Sequence, residues 1–69
     1  MAKPDVSAER KEQIFQAAML CFSRKGYHQT TMDDIVSESG LSKGALYWYF
    51  KSKKELFLSL VGEMMGSTV

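Results

Sequence analysis

Three residues, Gly40, Leu41 and Ser42, constrain the fold of this chain more than any other part of the sequence. Gly40 tolerates the left-handed conformation that ends a helix, and Ser42 is a preferred N-cap for the helix that follows. Leu41 and Leu46 are spaced as a hydrophobic staple, which sets the angle at which the second helix departs. A short helix ended by glycine and followed by a tight turn and a second helix predicts a helix-turn-helix.

The first helix of this motif is predicted to begin after Thr31. Thr31 is a good N-cap, and Asp34 at the third helical position completes a variant of the capping box. Asp33 beside it favours the positive end of the helix dipole. The inward residues of this helix are predicted to be Met32, Ile35 and Val36.

The second helix of the motif, residues 42–50, is predicted to turn a glycine and large aromatic side chains outward. Leu46 and Phe50 lie on one side because residues four apart share a helix face, so Gly44 and Trp48 fall opposite. Exposed aromatic side chains are unfavourable unless a partner covers them. This outward side is therefore predicted to meet a partner.

Two further helical patterns flank the motif. The first is predicted to begin with Ser7 as N-cap and to end at Gly26. Its apolar stripe has helical spacing and comprises Ile14, Ala17, Ala18, Cys21 and Phe22. The last begins with Ser52 and Glu55 as a full capping box, and Leu58 lies off its apolar stripe. That stripe comprises Leu56, Phe57, Leu60, Val61 and Met64.

Length and composition indicate one small all-α domain. The chain has 69 residues, near the lower limit for a single core, but 45% of them are hydrophobic. We expect a disordered leader at residues 1–6, a domain at residues 7–69 and a fraying tail from Gly66. The sequence shows neither a signal peptide nor a membrane-spanning stretch, so a reducing, cytoplasmic location is expected.

Cys21 and His28 are the only cysteine and histidine, which argues against several kinds of site. One cysteine cannot close a disulfide within the chain, and one cysteine with one histidine cannot form a tetrahedral zinc site. Neither residue has the catalytic partner that a nucleophile needs. We therefore expect no cofactor, no metal and no enzymatic activity, with Cys21 as a small core residue and His28 as a solvated one.

The charges are unevenly distributed although the net charge is only +1. Asp33, Asp34 and Glu38 lie upstream, whereas residues 42–54 contain lysines and no acid. These lysines are Lys43, Lys51, Lys53 and Lys54. Clustered lysines beside outward aromatic residues favour docking on the phosphates and base edges of DNA.

Three stretches of the sequence carry a resemblance to a known family. They read I-F-Q-A-A-M-L-C-F-S-R-K-G-Y, T-T-M-D-D-I-V and G-L-S-K-G-A-L-Y-W-Y-F-K-S-K-K-E-L-F. In this order and spacing, over roughly residues 10–61, the chain resembles the N-terminal DNA-binding domain of the TetR/AcrR family of bacterial repressors. The resemblance implies a three-helix helix-turn-helix (homeodomain-like) bundle plus a fourth linking helix.

The resemblance also implies a mode of action. The helix at residues 42–50 enters the major groove of double-stranded DNA, and two copies bind the halves of a palindromic operator. Family members continue into a larger helical domain that forms the homodimer and binds a small-molecule inducer. We expect this sequence to stop before that domain, with Leu58, Met64 and Met65 as surfaces for it.

By the same resemblance, DNA contacts are assigned to the outward side of residues 42–50 and to nearby helix N-termini. Lys43 and Gly44 are assigned to base edges, since lysine can donate to guanine and glycine lets the backbone approach. Trp48 is assigned to the groove, and the hydroxyl-bearing residues and Lys53 to phosphates. The predicted DNA-binding residues are Thr31, Ser42, Lys43, Gly44, Ala45, Tyr47, Trp48, Tyr49 and Lys53.

Two alternatives stay open from the sequence. Some relatives carry a base-contacting basic residue where this chain has Asp33, and an acid there repels phosphate unless it accepts from cytosine N4. We interpret Asp33 as a helix-dipole residue. The domain as a whole could instead be a helical interaction module whose aromatic residues dock in a protein groove. The salt dependence of binding distinguishes these two functions, because DNA binding weakens steeply with ionic strength whereas a hydrophobic contact in a protein groove does not.

Overall fold

Four α-helices make up the part of the chain that the computed structural model describes, which is the backbone of residues 6–65 and the side chains of residues 8–65. They are α1 (Val6–Lys25), α2 (Met32–Ser39), α3 (Lys43–Tyr49) and α4 (Lys53–Met64). Residues 6–65 contain no strand. The predicted all-α class, a helix-turn-helix bundle with a fourth helix, is therefore confirmed.

The turns around α2 have the geometry that the sequence predicts. Gly26 and Gly40 take positive φ angles of 86° and 78°, a conformation that residues with a Cβ rarely adopt. Thr31 Oγ1 accepts from the Asp34 amide at 3.1 Å, and Asp34 Oδ2 accepts from the Thr31 amide at 3.0 Å. Ser42 caps α3 from an extended backbone conformation. The short α2 is thus held at both ends before the chain enters α3.

The core takes one large, fully buried aliphatic side chain from every helix. Ile14, Ile35, Leu46 and Leu56 are each 0% exposed. Five more buried residues surround them: Ala17, Ala18, Cys21, Phe50 and Leu60. The predicted inward faces of α1, α2 and α3 are confirmed. Each helix is consequently positioned by the same cluster.

Two polar contacts that the sequence pattern does not predict hold α2 against α1. The Thr30 hydroxyl is buried and lies 3.1 Å from the Cys21 carbonyl and 2.8 Å from the Gly26 carbonyl. Gln13 Nε2 donates to the Ser39 carbonyl at 2.7 Å, across 26 residues of sequence. The Gln13 contact satisfies a carbonyl at the end of α2, where helices leave acceptors without partners. The Thr30 hydroxyl fastens the residues before α2 to the end of α1.

Two helix starts differ from the predictions. α1 begins at Val6, so Ser7 lies inside the helix; its prediction as N-cap is wrong because an N-cap has non-helical backbone. Ser52 accepts from the Glu55 amide at 3.1 Å, but the Glu55 carboxylate accepts from the Lys51 amide instead of the Ser52 amide. The predicted full capping box is therefore half formed, because the carboxylate binds the N–H group one residue earlier.

The last helix is buried at its beginning and exposed at its end. Leu56 and Leu60 are buried, whereas Leu58 is 59% exposed, which confirms that it lies off the apolar stripe. Met64 was predicted on that stripe but is 68% exposed, because the buried residues of α4 end at Leu60.

The structure describes only part of the two chain ends. Apart from Val6, the predicted leader lies outside the described residues, and so does the predicted tail from Gly66. The limits of the domain at residues 7 and 69 stay a prediction. No helix within residues 6–65 has the length and apolar character needed to cross a membrane.

Candidate nucleic-acid interface

One side of α3 faces solvent, and we call it the α3 outer face; it comprises the exposed Lys43, Gly44 and Trp48 and the half-buried Tyr47. The opposite side is anchored by Leu46, which is fully buried, and by Phe50, which is 5% exposed. Trp48 is 76% exposed, a high value for a residue type that is mostly buried in folded proteins. The predicted orientation of this helix is confirmed.

Gly44 has open space where a side chain would be. A Cβ built at Gly44 meets no atom within 4 Å, so packing inside the domain does not require glycine here. Glycine inside a helix is less stable than alanine by about 1 kcal/mol. The domain therefore carries a less favourable residue near the start of the α3 outer face, where the helix backbone is open to a partner.

Lys43, the first residue of α3, is paired with an acid from α2. Lys43 Nζ lies 3.5 Å from Asp33 Oδ1, with side chains 66% and 75% exposed. The lysines of residues 42–54 are separated from the acids of α2 along the sequence, but the fold brings Lys43 beside one of those acids. The two residues are ten apart in sequence but adjacent in space, because the Gly40 turn brings the start of α3 beside the start of α2. An exposed pair of this kind contributes about 1 kcal/mol or less to stability.

The N-terminus of α2 has a second acid with different surroundings. Asp34 Oδ2 accepts from Lys25 Nζ at 2.9 Å and from the Thr31 amide at 3.0 Å. The hydrogen bond from Lys25, followed by that from the Thr31 amide, lowers the pKa of Asp34 to about 2. Thr31 is exposed; its hydroxyl accepts from the Asp34 amide and also hydrogen-bonds the Asp34 carboxylate, which adds to the lowering of the Asp34 pKa. The exposed N-terminus of α2 therefore carries an ionised carboxylate bonded to its own cap residue.

Lys53, the first residue of α4, is held by Tyr27, an aromatic residue that sequence spacing does not connect with it. Its Nζ donates to the Tyr27 carbonyl at 2.6 Å and lies 4.2 Å from the centroid of the Tyr27 ring. The Tyr27 ring packs in turn against Phe22 and Phe57, at centroid distances of 5.5 Å and 4.9 Å. An ammonium group has three N–H donors, so Lys53 keeps donors for a phosphate while its position is restricted.

The remaining predicted residues lie on or beside α3. Ser42 is exposed and accepts from the Ala45 amide at 3.1 Å, so its role as cap is confirmed. Ala45 and Tyr49 are half-buried, and Tyr49 packs against the core with its ring 6.5 Å from that of Phe50. The structure thus brings Ser42 and the α3 outer face together, whereas Thr31 and Lys53 begin other helices.

Lys51 has a role that the sequence pattern does not predict. Its Nζ donates to the Tyr47 carbonyl at 3.0 Å, in the last turn of α3. A cation is favourable at this end of a helix, where carbonyl groups lack partners. A lysine just after a helical pattern is the sequence signal that could have identified it.

Cys21 and His28 have the ordinary surroundings that the sequence predicts. Cys21 is 6% exposed, with its Sγ 3.7 Å from the Asp34 carbonyl. Burial, together with the nearby Glu38 and Asp34 carboxylates, raises the pKa of the Cys21 thiol above its usual range. His28 is exposed beside the Tyr27 ring. Cys21 is therefore a protonated core residue at neutral pH.

Comparisons with known proteins agree with this geometry. The chain is similar to YfiR of Bacillus subtilis, an uncharacterized HTH-type transcriptional regulator, with 44% identity over 62 residues that cover 84% of this chain and 30% of that protein. The HTH-type transcriptional regulator AcrR of Shigella flexneri is 34% identical, over 88% of this chain and 28% of that protein. The HTH-type transcriptional activator FasR of Mycolicibacterium smegmatis is 43% identical, over 88% of this chain and 28% of that protein.

These similarities concern one part of larger proteins, because the chain spans less than a third of the length of these curated relatives. No solved structure gives a significant match. Residues 14–60, which are most of the chain, match the family described as bacterial regulatory proteins, tetR family. The chain therefore belongs to the tetR family of bacterial regulatory proteins and constitutes the helix-turn-helix DNA-binding domain of a transcriptional regulator.

Proposed function

We propose that this domain recognises a specific sequence of double-stranded DNA by placing the α3 outer face in the major groove. The observation that carries the proposal is the exposed Trp48 beside the open backbone of Gly44, on a helix anchored from behind by Leu46. The major groove is wide enough to admit an α-helix. An exposed aromatic residue and an unpacked helical glycine are both unfavourable in the free domain, and a base-pair surface covers both.

The proposal divides the contacts into two classes. Lys43 and Gly44 contact base edges, because they lie at the start of the α3 outer face, and the Ala45 methyl lies beside them for an apolar base contact. Trp48 packs along the wall of the groove. Phosphate contacts come from Tyr47 on that face, from Ser42 and Tyr49 at the two ends of α3, and from Thr31 and Lys53 at the starts of α2 and α4. These contacts fix the register of the domain on the duplex.

For the whole protein, we propose a cytoplasmic repressor that binds a palindromic operator as a homodimer and is released by a small-molecule inducer. The support is the resemblance given above and the greater length of the relatives, which leaves room for a dimerising and inducer-binding domain. The relative FasR is named an activator, so the direction of regulation needs its own test. No enzymatic step and no cofactor form part of this proposal.

Selection of bound sequences from a random DNA library, with the full-length gene product, tests the proposed function. We expect enrichment of an inverted repeat and a steep fall in affinity with rising salt, since phosphate contacts release counterions. Trp48 is the only tryptophan in the sequence printed here, so in the 69-residue chain its fluorescence reports contact at the α3 outer face directly. A salt-independent partner, with no sequence enriched, would instead support a helical module that binds a protein groove.

A reporter gene placed behind the enriched sequence tests the direction of regulation. Lower expression in the presence of the protein, reversed by a small molecule, supports the repressor. Higher expression would make the protein an activator and leave the proposed DNA contacts unchanged.

Gly44→Ala is expected to stabilise the domain and weaken DNA binding at the same time. The new Cβ meets no protein atom within 4 Å, so the helix gains up to about 1 kcal/mol of stability. On DNA the same methyl group occupies the space of a base edge, which lowers affinity about tenfold by overpacking. Thermal denaturation and DNA titration measure the two effects.

Gly62→Ala is the matched control for this variant. Gly62 lies in α4 and also has open space around a built Cβ, so the stability gain should be similar while DNA affinity stays unchanged. If Gly44→Ala binds the enriched DNA as tightly as the unmodified protein, the backbone of Gly44 does not approach a base.

A further inference from the structure

Asp33 is the acid of α2 that lies beside the α3 outer face. Its Oδ1 is 3.5 Å from Lys43 Nζ, and both side chains extend into solvent. The two other acids of α2 have partners elsewhere: Asp34 binds Lys25 at 2.9 Å, and Glu38 lies 3.5 Å from Arg24. Asp33 and Lys43 therefore present a carboxylate and an ammonium group side by side, at the edge of the surface that the proposed function places on DNA.

Stability does not account for this arrangement. The pair is largely exposed, and such pairs contribute little to folding. For binding to phosphates the carboxylate is unfavourable, because it repels the backbone and competes for the ammonium group. An acid in this place is favourable on DNA only where a base offers it a donor.

A G·C base pair offers a matching pattern in the major groove. Guanine presents the acceptors O6 and N7, and cytosine presents the N4 amino donor. Guanine O6 and cytosine N4 are themselves hydrogen-bonded at about 3 Å, close to the separation of the Asp33 and Lys43 charged atoms. A donor and an acceptor at that spacing can contact both bases of one pair without separating from each other.

We propose that Asp33 is a specificity-determining residue that reads a G·C base pair jointly with Lys43. The Asp33 carboxylate accepts from cytosine N4, and the Lys43 ammonium group donates to both guanine O6 and guanine N7. The inference rests on the proposed function and adds a second helix, α2, to the residues that contact bases. An A·T pair also presents a donor and an acceptor at this spacing, adenine N6 and thymine O4, so the preference for G·C comes from the neighbouring group: guanine N7 is a second acceptor for the ammonium group, whereas thymine has an apolar C5-methyl beside O4.

The test is library selection and titration with the full-length gene product and three variants. Asp33→Ala removes the proposed acceptor, and Lys43→Ala removes the proposed donor. Glu38→Ala makes the same change of charge on the same helix, away from the α3 outer face. Circular dichroism of each variant verifies that the helices are retained, as expected for exposed positions.

Asp33→Ala and Lys43→Ala are both expected to lose about tenfold of the preference for G·C at one and the same base pair of each half-site. Asp33→Ala should also raise affinity for scrambled DNA, and Glu38→Ala should leave base preference unchanged. The inference is overturned if Asp33→Ala enriches the same motif as the unmodified protein, or if the two variants relax different base pairs. If the unmodified protein enriches no motif, the proposed function itself fails, and this outcome is distinct from the former two.

Discussion

Leu46→Ala is expected to unfold most of the domain at ambient temperature. Leu46 is 0% exposed and is the fully buried residue of α3. Truncation of a buried leucine to alanine costs about 2–5 kcal/mol, and the core of so small a domain rarely supplies more than about 3–5 kcal/mol. The measurement is far-UV circular dichroism with thermal denaturation, which should show a large loss of helix and no cooperative transition near the original midpoint.

Leu58→Ala is the matched control for this change. Leu58 is 59% exposed on α4, so the same truncation should alter the free energy of unfolding by about 0.5 kcal/mol or less. Phe50→Ala, at the C-cap of α3, is expected to resemble Leu46→Ala, since Phe50 is 5% exposed. A Leu46→Ala protein with full helicity and an unchanged midpoint would show that the core does not depend on α3.

Lys43→Ala is expected to relax base preference at one or two base pairs of each half-site. Lys43 begins the α3 outer face, and a lysine contact to guanine discriminates against other bases by about 1–3 kcal/mol. Titration of the full-length gene product against enriched and scrambled DNA, at several salt concentrations, measures the change. Affinity for the enriched sequence should fall more than affinity for the scrambled one.

Lys53→Ala removes the same charge from a residue assigned to phosphate, and serves as the comparison. It should weaken binding to both DNAs alike and flatten the slope of log affinity against log salt by about one, because one fewer counterion is released. The Tyr27 carbonyl and ring restrain the Lys53 ammonium group, which favours contact with one defined phosphate. If Lys43→Ala lowers the affinities for enriched and scrambled DNA equally, Lys43 contacts a phosphate. The base contacts must then be made by Gly44, Tyr47 or Trp48.

The features that could be predicted from the sequence are those encoded by residues close to each other in the chain. Thr31 and Asp34 form their reciprocal hydrogen bonds within three residues, and Gly40 needs only its own backbone freedom to end α2. Leu46 and Phe50 share a face because of helical spacing alone. Together these local rules give the order of the helices and the outward side of α3.

The features that could not be predicted depend on how the helices cross. Lys53 meets Tyr27 across 26 residues, and Asp33 meets Lys43 only after the chain has reversed at Gly40. Sequence spacing carries no signal for such contacts. The half-formed box at Glu55 has another cause, since a carboxylate at this position can accept from either of two neighbouring amides and sequence spacing does not choose between them.

The length of α3 limits what can be separated from this domain. With seven residues, α3 is far shorter than the roughly 12–15 residues that an isolated helix needs to persist in water. A synthetic peptide of residues 42–54 should therefore be unstructured, although it contains all four lysines between these positions. It should compete poorly with the folded domain for DNA. Inhibitors that imitate the α3 outer face need a chemical staple or a scaffold to keep the peptide helical, because they lack the buried contacts that Leu46 and Phe50 make in the domain.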